Sequence, residues 1–493
     1  MNNLAAKQQQ NIDGFLAASN EAARVILETV KKDGFILVFS HLDADGVAAA
    51  GVIGKMLSRL DARFRIRVMQ WVDEKIIGEV IADKPQLVIL TDFGSGYLDL
   101  LNQKIPNFKV VILDHHQLNS KVANPNFTQV NPHLFGIDGA TDVSGSGVAY
   151  FAAKAVNVGN VDLAPIALVG ALGDMQDKYE QRSMRSLNEI IVKDAVASGL
   201  LKVEKDLMFF GRETRPLYKM IVTTTNPFIP GLSGQETQTI NFLEDTLKIP
   251  TKQGDKPRSL GDLTPEEKTR LCSGLADYLM SKGLHLAVED IIGYVYVLTK
   301  EEPNTALRDG REFAVVLNSA GRMDRPSLGI AICMGDRNAA LEESNKILED
   351  YRKNINKYLG WVNEKPERMR ELQNIYVIYG ENFINEKIIG TISSIIVASL
   401  ANNEKPLLAF ANIEAEKAAK FSGRTTEAAL RKGVNLGEIM RLASETNGGK
   451  GGGHNIAAGA QVPLDKLESF IKTADELVGR QLKGEKLGSH SNA

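Results

Sequence analysis

The first third of the chain alternates short apolar runs with longer segments of helical periodicity. The strand signals are three continuous apolar runs and one alternating segment, at 35–39, 87–90, 110–113 and 64–69. The helical patterns lie at 46–60, 146–156 and 163–172. Continuous apolar strands joined by helices are typical of a parallel sheet that is buried on both faces. We therefore predict an N-terminal α/β domain built on a parallel sheet.

The pattern changes in the middle of the chain. Residues 211–254 carry several Pro and Gly residues and little periodicity, which is typical of a linker or an inserted loop region. The Thr-Pro-Glu-Glu sequence at Thr264 then predicts a helix over 264–282. Strand signals return at 291–298, 313–318, 328–333, 375–379 and 407–412, and helical patterns lie at 337–359 and 388–400. This alternation predicts a second α/β domain.

A length of 493 residues fits two or three domains better than one. The predicted divisions are an N-terminal parallel-sheet domain, an inserted helical or linker segment, a second α/β domain and a disordered tail, at 1–205, 206–283, 284–480 and 481–493.

Composition narrows the class of protein. Hydrophobic residues make up 43% of the chain, enough to fill globular cores, and the net charge of −3 argues against a basic protein that coats nucleic acid. No apolar run is long enough to cross a bilayer, and the first ten residues lack the apolar stretch of a secretory signal. Cys272 and Cys333 are too far apart to form a thiolate cluster, which fits a reducing compartment. We expect a cytoplasmic protein without membrane contact.

Residues with carboxylate or imidazole side chains follow the predicted strands. These clusters are Ser40-His41-Leu42-Asp43-Ala44-Asp45-Gly46, Thr91-Asp92 and Asp114-His115-His116, and a fourth, Gly173-Asp174, follows an apolar helix. The carboxyl ends of parallel strands meet at one edge of a sheet, so these side chains should share a crevice. Oxygen and imidazole ligands suit Mn²⁺ or Mg²⁺, and two such ions about 3.5–4 Å apart can drive in-line phosphoryl displacement.

A structural role for each cluster is the alternative to metal binding. Asp45 or Asp92 alone is more often a helix N-cap than a ligand, and a lone His is usually a surface or satisfied core residue. Helix capping does not explain an Asp-His-His run, because neither His gains from that position. Burying so many like charges together would be costly without cations. The recurrence of four clusters therefore favours a metal site.

A glycine-rich run near the carboxyl end, Gly448-Gly449-Lys450-Gly451-Gly452-Gly453-His454, is a second candidate site. A turn of this kind exposes backbone N–H groups that can bind phosphate oxygens, and Arg424 could bind a phosphate with both arms of its guanidinium. We predict that a small-residue helix follows the run. A flexible surface loop is the alternative interpretation.

These motifs together resemble the DHH phosphoesterase superfamily. The features that carry the resemblance are the Ser-His-x-Asp-x-Asp-Gly order from Ser40, the strand followed by Asp92, the Asp-His-His run and Gly173-Asp174. Phe421-Ser422-Gly423-Arg424 and the Gly-rich run resemble the substrate-binding domain often called DHHA1. The segments 131–139 and 318–322 resemble archaeal RecJ-like nucleases that associate with GINS.

The resemblance implies roles for individual residues. The implied metal ligands are Asp43, Asp45, Asp92, His115 and Asp174, with Asp92 bridging two divalent ions, Mn²⁺ or Mg²⁺. His41 would be a ligand or phosphate contact, Asp114 would orient His115 and fix its tautomer, and His116 would contact the scissile phosphate or leaving group. Asp177 has no clear family role: it could support the ligands from behind or be only a surface acid, and the surface acid is the preferred interpretation. The implied substrate-binding residues are Ser422, Arg424, Gly451, Gly452, Gly453 and His454.

The implied function is a metal-dependent exonuclease acting on single-stranded DNA or RNA, linked to replication or repair and to partners such as GINS or the replicative helicase. Aromatic residues are 6% of the chain and no sequence-reading motif is present, so binding should depend on backbone phosphates. One alternative is a phosphodiesterase for short oligonucleotides or cyclic dinucleotides. The other is a replisome scaffold related to a eukaryotic helicase subunit that has lost its metal ligands.

Overall fold

The computed structural model describes residues 2–118, 123–224, 227, 229–397, 400, 404–485 and 487. The chain divides into two compact units, Met1–Leu348 and Glu349–Ala493. Most of the predicted tail at 481–493 lies outside the described residues. None of the described helices has an apolar stretch long enough to cross a membrane.

The first unit is built on a five-stranded parallel sheet. Its strands are β1 (Ile36–Ser40), β2 (Phe64–Val68), β3 (Leu87–Thr91), β4 (Val110–Leu113) and β5 (Phe127–Val130). They lie in the order β2-β1-β3-β4-β5, and every neighbouring pair is parallel. All residues of β1, β3 and β4 are buried, as their continuous apolar sequences predict. The predicted parallel-sheet domain is confirmed.

Helices cover both faces of this sheet. They are α1 (Asn2–Lys31), α2 (Ala44–Arg59), α3 (Glu74–Asp83), α4 (Leu98–Lys104), α5 (Gly145–Val156), α6 (Ala164–Gly173) and α7 (Ser186–Ala197). Alternate residues of β1 face opposite cores: Ile36 and Val38 pack with α1, α2, α5 and α6, whereas Leu37 and Phe39 pack with α3 and α4. The chain winds outward in both directions from β1 and β3, which opens a crevice beyond their carboxyl ends.

The middle of the chain is a folded insertion. Its elements are β6 (Leu201–Leu207), α8 (Leu217–Val222), α9 (Glu236–Asn241), β7 (Lys252–Gln253), β8 (Lys256–Pro257), α10 (Pro265–Ser281), α11 (His285–Ile291) and β9 (Ile292–Leu298). Leu217, Leu243 and Leu271 belong to an apolar core of its own, so the segment is not an open linker. The predicted helix start is present, since Thr264 and Glu267 form a reciprocal capping box on α10.

Two segments predicted as strands are helices. Residues 313–318 lie in α12 (Gly310–Arg322), and residues 328–333 lie in α13 (Pro326–Met334). In α12 the buried positions Phe313, Val316 and Leu317 recur at helical spacing. A short apolar run does not by itself distinguish a buried helix from a buried strand, which explains the error.

The first unit also extends farther than predicted. β9 pairs antiparallel with β6, and α12 and α13 pack against α2. The first unit therefore runs to Leu348, and the domain boundary predicted at 284 does not coincide with the division between the units.

The second unit contains a mixed six-stranded sheet. After α14 (Ala339–Glu364) come β10 (Met369–Glu371), β11 (Tyr376–Tyr379), α15 (Ile389–Val397), β12 (Leu407–Ile413), β13 (Ala418–Arg424), α16 (Glu427–Arg431), α17 (Leu436–Thr446), β14 (Lys450–Gly453), β15 (Ala457–Pro463) and α18 (Leu467–Leu482). The strand order is β10-β11-β12-β13-β15-β14. Phe410, Phe421 and Phe470 form the centre of its core.

The glycine-rich run is not a turn before a helix. Lys450–Gly453 form β14, which pairs antiparallel with β15. Burial alternates with a period of two along Ala457–Pro463, which is the pattern of a half-buried strand. The helix predicted for these small residues was wrong, because alanine and glycine carry too weak an apolar pattern to reveal the period.

Glu312, at the contact between α12 and the insertion, should make the stability of the fold depend on pH. Its carboxyl group accepts hydrogen bonds from the Glu213 backbone N–H (2.8 Å) and the Thr214 hydroxyl. Burial raises the pKa of Glu312 from 4.5 to about 7. The folded state therefore favours the neutral carboxyl group, and stability falls as pH rises from about 4.5 to about 7.

Glu312→Gln should remove this loss. Near pH 4.5 the variant and parent should have equal stability, and above pH 7 the variant should be more stable by on the order of 3 kcal/mol at most. Urea unfolding at pH 5 and pH 8 measures the difference. Glu236→Gln, an exposed change in the same insertion, should leave the pH dependence as it is. Parallel pH profiles for the parent and Glu312→Gln would contradict the assignment.

Candidate metal centre

The loop after β1 carries the first two carboxylates. Asp43 caps α2 through a hydrogen bond from the Gly46 N–H to Oδ1 (3.1 Å). Its second oxygen lies 3.0 Å from His41 Nδ1, which is also 3.7 Å from Asp92 Oδ2. A Cβ on Gly46 would overlap the His41 carbonyl oxygen, so the tight loop requires glycine there. The N-cap role considered for Asp45 or Asp92 thus belongs to Asp43.

Asp45 is fully buried in the first turn of α2. Its Oδ2 accepts a hydrogen bond from the Gly145 N–H (2.6 Å), and its Oδ1 accepts one from the Ser146 N–H (3.0 Å). Both donors belong to the first turn of α5, where the helix dipole stabilises a negative charge. Asp45 is therefore fixed in place by backbone groups.

Asp92 lies at the centre of the cluster, directly after β3. It has a left-handed backbone, with φ of 61°, which is uncommon for a residue other than glycine. Its Oδ1 is buried and accepts no hydrogen bond from the described residues. A Cβ on Gly145 would lie 2.5 Å from that oxygen. A buried carboxylate oxygen without a donor is the property expected of a cation ligand.

His115 faces three carboxylates through one ring nitrogen. Its Nε2 is 3.1 Å from Asp92 Oδ1, 3.5 Å from Asp174 Oδ2 and 3.7 Å from Asp45 Oδ2. Its Nδ1 is 2.6 Å from the Gly139 carbonyl oxygen, an acceptor only, so Nδ1 carries the proton. The Nε2 lone pair is then directed at the carboxylates, in the tautomer that a metal ligand requires.

Asp114 has a different role from the one that the resemblance implies. It does not orient the His115 ring or fix its tautomer, because the Gly139 carbonyl makes that contact. Asp114 Oδ1 instead accepts hydrogen bonds from the backbone N–H groups of His115 (2.8 Å) and His116 (3.1 Å) and from His116 Nδ1 (2.8 Å). Its Oδ2 accepts a hydrogen bond from the Ser95 N–H (2.8 Å). Asp114 therefore fixes the turn after β4 and the ring of His116.

The carboxylates repel one another. Burial, with the charges of Asp45 and Asp43, raises the pKa of Asp92 well above its usual range. Burial and the charge of Asp45 likewise raise the pKa of Asp174. Burial also opposes ionisation of Asp43, but the neighbouring His41 ring, the Gly46 N–H and the charge of Arg322 together lower its pKa. Divalent cations would relieve the repulsion and keep all the carboxylates ionised.

Three groups of donors in the first unit share Asp92 and could each hold a metal ion: one is Asp92, Asp114 and His116, and the other two contain the proposed ligands. We call these other two the donor groups. One consists of His41, Asp43 and Asp92, and the other of Asp45, Asp92 and His115; in each, the ligand atoms lie within 4.8 Å of one another. Asp174 approaches the second group through His115. The structure thus brings together the five proposed ligands and His41. The donor set of carboxylates and imidazoles suits Mn²⁺ or Mg²⁺.

Residues of α12, which the sequence pattern assigns to the second domain, support this centre. Asn318 Oδ1 accepts a hydrogen bond from the Ala44 N–H (3.0 Å). A Cβ on Gly321 would overlap the Leu42 carbonyl oxygen. The positive charge of Arg322 contributes to the low pKa of Asp43. The resemblance of segment 318–322 to the family could have indicated that this segment lies at the metal centre. It did not, because the apolar residues beside it were predicted to form a strand of the second domain.

Asp177 is not a surface acid. It is buried and forms an ion pair with Arg311, whose Nε lies 3.0 Å from Asp177 Oδ2. Because Asp177 follows α6 and Arg311 belongs to α12, this pair joins the two helices near Asp174. Its role is structural support.

The predicted substrate-binding residues lie in the second unit. Arg424 ends β13, and its guanidinium donates hydrogen bonds to the hydroxyls of Ser394 (2.7 Å) and Ser422 (3.0 Å). His454 follows β14 and donates its backbone N–H to the Ala457 carbonyl (2.9 Å). Ala457 pairs with Arg424 across β13 and β15. The end of β13 and the turn holding His454 therefore lie at the same end of the sheet, with Gly451, Gly452 and Gly453 leading up to that turn.

Comparison with known families agrees with this arrangement. Residues 35–171 match the DHH family N-terminal domain, residues 209–292 match the DHH-CID domain and residues 373–480 match the DHHA1 domain. The uncharacterized protein MJ0831 of Methanocaldococcus jannaschii is 32% identical over 457 residues, covering 91% of this chain and 94% of that protein.

Solved structures share the fold at low sequence identity. CDC45 from Entamoeba histolytica has a TM-score of 0.61 at 11% identity, over 96% of this chain and 99% of that one. RecJ from Thermus thermophilus in complex with Mn²⁺ has a TM-score of 0.57 at 17% identity over 94% of this chain, which spans 55% of that longer chain. An exonuclease RecJ bound to manganese has a TM-score of 0.53 at 17% identity, over 95% of this chain and 97% of that one. The chain therefore belongs to the DHH superfamily, and its fold resembles that of RecJ.

Proposed function

We propose that the protein is a metal-dependent exonuclease that hydrolyses phosphodiester bonds of single-stranded DNA or RNA. The observation that carries the proposal is the pair of donor groups that share Asp92. Two-metal phosphoryl transfer uses two cations close together, and two donor groups with a common ligand would hold cations in that way. The RecJ structures described with Mn²⁺ or Mg²⁺ support the choice of ion.

The residues assigned to the ions are those of the two donor groups. Asp45, Asp92, His115 and Asp174 would hold one ion, and Asp43 and Asp92, with His41 as a ligand or phosphate contact, would hold the other. Bound ions would supply Lewis-acid activation of water and phosphate. His116 would contact the scissile phosphate or leaving oxygen. Its ring is partly exposed, and Asp114 fixes the orientation of the ring through Nδ1.

The second unit would bind the strand through its phosphates. Arg424, oriented by two serine hydroxyls, would bring its guanidinium charge to one phosphate. Ser422, His454 and the backbone of Gly451, Gly452 and Gly453 are the other proposed contacts. None of these groups is proposed to read a base edge, so the proposal implies little dependence on sequence.

A second candidate function is a structural subunit of a replicative helicase assembly, with a GINS-type partner in the same assembly. The likeness to CDC45 along nearly the whole of both chains favours it. The set of metal-competent side chains argues for hydrolysis, because a scaffold has no need of so many buried or partly buried acids and imidazoles in one crevice. The two roles are compatible with each other.

The test is a time course on end-labelled single-stranded DNA, single-stranded RNA and a dinucleotide, with Mn²⁺ or Mg²⁺ and with EDTA. We expect metal-dependent shortening of a long strand from one end. Cleavage of the dinucleotide alone would indicate a short-oligonucleotide phosphodiesterase instead. Absence of cleavage of any substrate with either ion would favour the scaffold.

A further inference from the structure

Two aromatic rings of the second unit are stacked on each other, and each has a cation close to it. Trp361 near the end of α14 and Phe383 in the loop after β11 are stacked, with ring centroids 4.6 Å apart and planes 13° apart. The Arg368 guanidinium lies 4.1 Å from the Trp361 centroid, and Lys357 Nζ lies 5.0 Å from the Phe383 centroid. We call these four side chains the aromatic stack.

Packing of the loop does not account for Phe383. Its neighbour Ile384 is 2% exposed and anchors the loop in the core, and the Tyr358 ring, whose centroid lies 5.9 Å from that of Phe383, is also buried. Phe383 itself is 39% exposed. An exposed aromatic ring beside a lysine offers a flat apolar face and a cation together, which is the combination that binds an unpaired base and its phosphate.

The charge of α14 is segregated toward the aromatic stack. Its first half, residues 339–351, carries four acidic residues and one basic residue: Glu342, Glu343, Glu349, Asp350 and Lys346. Its second half, residues 352–364, carries Arg352, Lys353 and Lys357 and a single carboxylate, Glu364, which pairs with Arg368 (2.8 Å). The helix dipole explains basic residues near the carboxyl end but not the aromatic residues placed among them. A surface of this charge is complementary to a polyanion.

The aromatic stack and the Arg424 site belong to one continuous packing arrangement. Arg424 Nε donates a hydrogen bond to Ser394 on α15 (2.7 Å), and Thr391, one turn earlier, hydrogen-bonds the Tyr351 hydroxyl on α14 (2.8 Å). Tyr358, which contacts Phe383, lies seven residues beyond Tyr351, or about 10 Å along the helix. A strand of several nucleotides could therefore reach from the phosphate site to the aromatic stack.

We propose that the aromatic stack is a base-stacking site for single-stranded nucleic acid. An unpaired base stacks on the exposed part of the Phe383 ring, and the Lys357 ammonium, which lies over that ring in the free protein, moves to pair with an adjacent phosphate. The inference rests on the proposed function for its ligand, but it concerns binding, which requires no hydrolysis. It adds a contact through bases to a protein whose other proposed contacts are to phosphates.

The test uses Trp361 as a reporter. The chain has one other tryptophan, Trp71, so Trp71→Phe leaves Trp361 as the sole tryptophan emitter. Oligothymidylate and an abasic oligonucleotide of equal length are titrated in EDTA, with Trp361 emission and fluorescence anisotropy as readouts. We expect the oligothymidylate to change Trp361 emission and the abasic strand to bind without that change.

The decisive variant is Phe383→Ala in the same background. It should weaken binding of oligothymidylate by about 10-fold and leave binding of the abasic strand unchanged, whereas Phe383→Tyr should preserve both. Phe210→Ala is the matched control, because Phe210 is 36% exposed and has the Arg215 guanidinium 5.0 Å from its ring centroid. It should change neither affinity nor emission. Thermal unfolding of each variant shows whether the chain remains folded.

The outcomes separate the inference from the proposed function. One outcome is that oligothymidylate changes Trp361 emission and Phe383→Ala weakens oligothymidylate binding alone, while the parent protein cleaves no strand in Mn²⁺. This outcome would support the stacking site and refute the exonuclease. Cleavage by the parent protein, with equal binding of both oligonucleotides and no effect of Phe383→Ala, would overturn the stacking site alone. An emission change produced by a proline-rich peptide but not by oligothymidylate would also overturn it.

Discussion

Asp92→Asn should abolish metal-dependent hydrolysis, lowering the rate by at least about 1000-fold, because several kcal/mol of transition-state stabilisation by the ions would be lost. Asp92 is the donor common to both donor groups, so the amide would weaken both at once. Asparagine tolerates the left-handed backbone of this position about as well as aspartate, so the fold should persist. Single-turnover cleavage of a labelled strand measures the rate, and calorimetric titration with Mn²⁺ should reveal fewer bound ions.

The control for Asp92→Asn is Asp99→Asn. Asp99 is exposed in the first turn of α4 and belongs to neither donor group. Its variant should retain the parent rate and the parent Mn²⁺ stoichiometry. Full activity in Asp92→Asn, purified free of contaminating nucleases, would refute the two-ion assignment.

Gly321→Ala should impair both stability and activity although it alters no proposed ligand. The added Cβ would overlap the Leu42 carbonyl oxygen, and a backbone atom cannot yield without moving the loop that holds His41, Asp43 and Asp45. We expect a stability loss of about 1–3 kcal/mol, typical of overpacking, and a lower apparent affinity for Mn²⁺. Thermal unfolding without metal and cleavage rates over a range of Mn²⁺ concentrations measure the two effects.

Gly78→Ala is the matched control for this change. Gly78 lies inside α3, and, apart from its chain neighbours and the backbone of its own helix, no heavy atom of the described residues is within 4 Å of the position its Cβ would take. Alanine there should stabilise the helix by roughly 0.5–1 kcal/mol and leave the Mn²⁺ dependence unchanged. If Gly321→Ala behaved in the same way as Gly78→Ala, the support of the ligand loop by α12 would be disproved.

The sequence predicted strands best where both faces of the strand are buried. Continuous apolar runs identified β1, β3 and β4 because both faces of these strands are covered. The pattern does not predict β5, since only Val130 of its four residues is fully buried. It also does not predict the long helix α1. The apolar face of α1, with Phe15, Ala22 and Ile26, is buried only by packing against the rest of the first unit.

The candidate site follows the same logic. Residue type and position after a strand or helix identified the four clusters, and the family resemblance selected Asp43, Asp45, Asp92, His115 and Asp174 within them as ligands. The groups that hold them in place are backbone atoms. The N–H groups of Gly145 and Ser146 and the carbonyl of Gly139 carry no side-chain signal, and their role depends on distant parts of the chain coming together. Tertiary contact of this kind is not encoded in local patterns.

The hydrogen bond between Asn318 and Ala44 has a consequence for biosynthesis. The two residues are 274 positions apart, so every proposed metal ligand leaves the ribosome long before the side chain that fixes their loop. At ordinary elongation rates this interval is on the order of 10–60 s. During that time the nascent chain carries a cluster of mutually repelling carboxylates whose supporting helix has not yet been made. The crevice is thus completed by a late part of the chain, and a fragment ending at residue 205 would contain all the proposed ligands but not the Asn318 side chain that fixes the loop after β1.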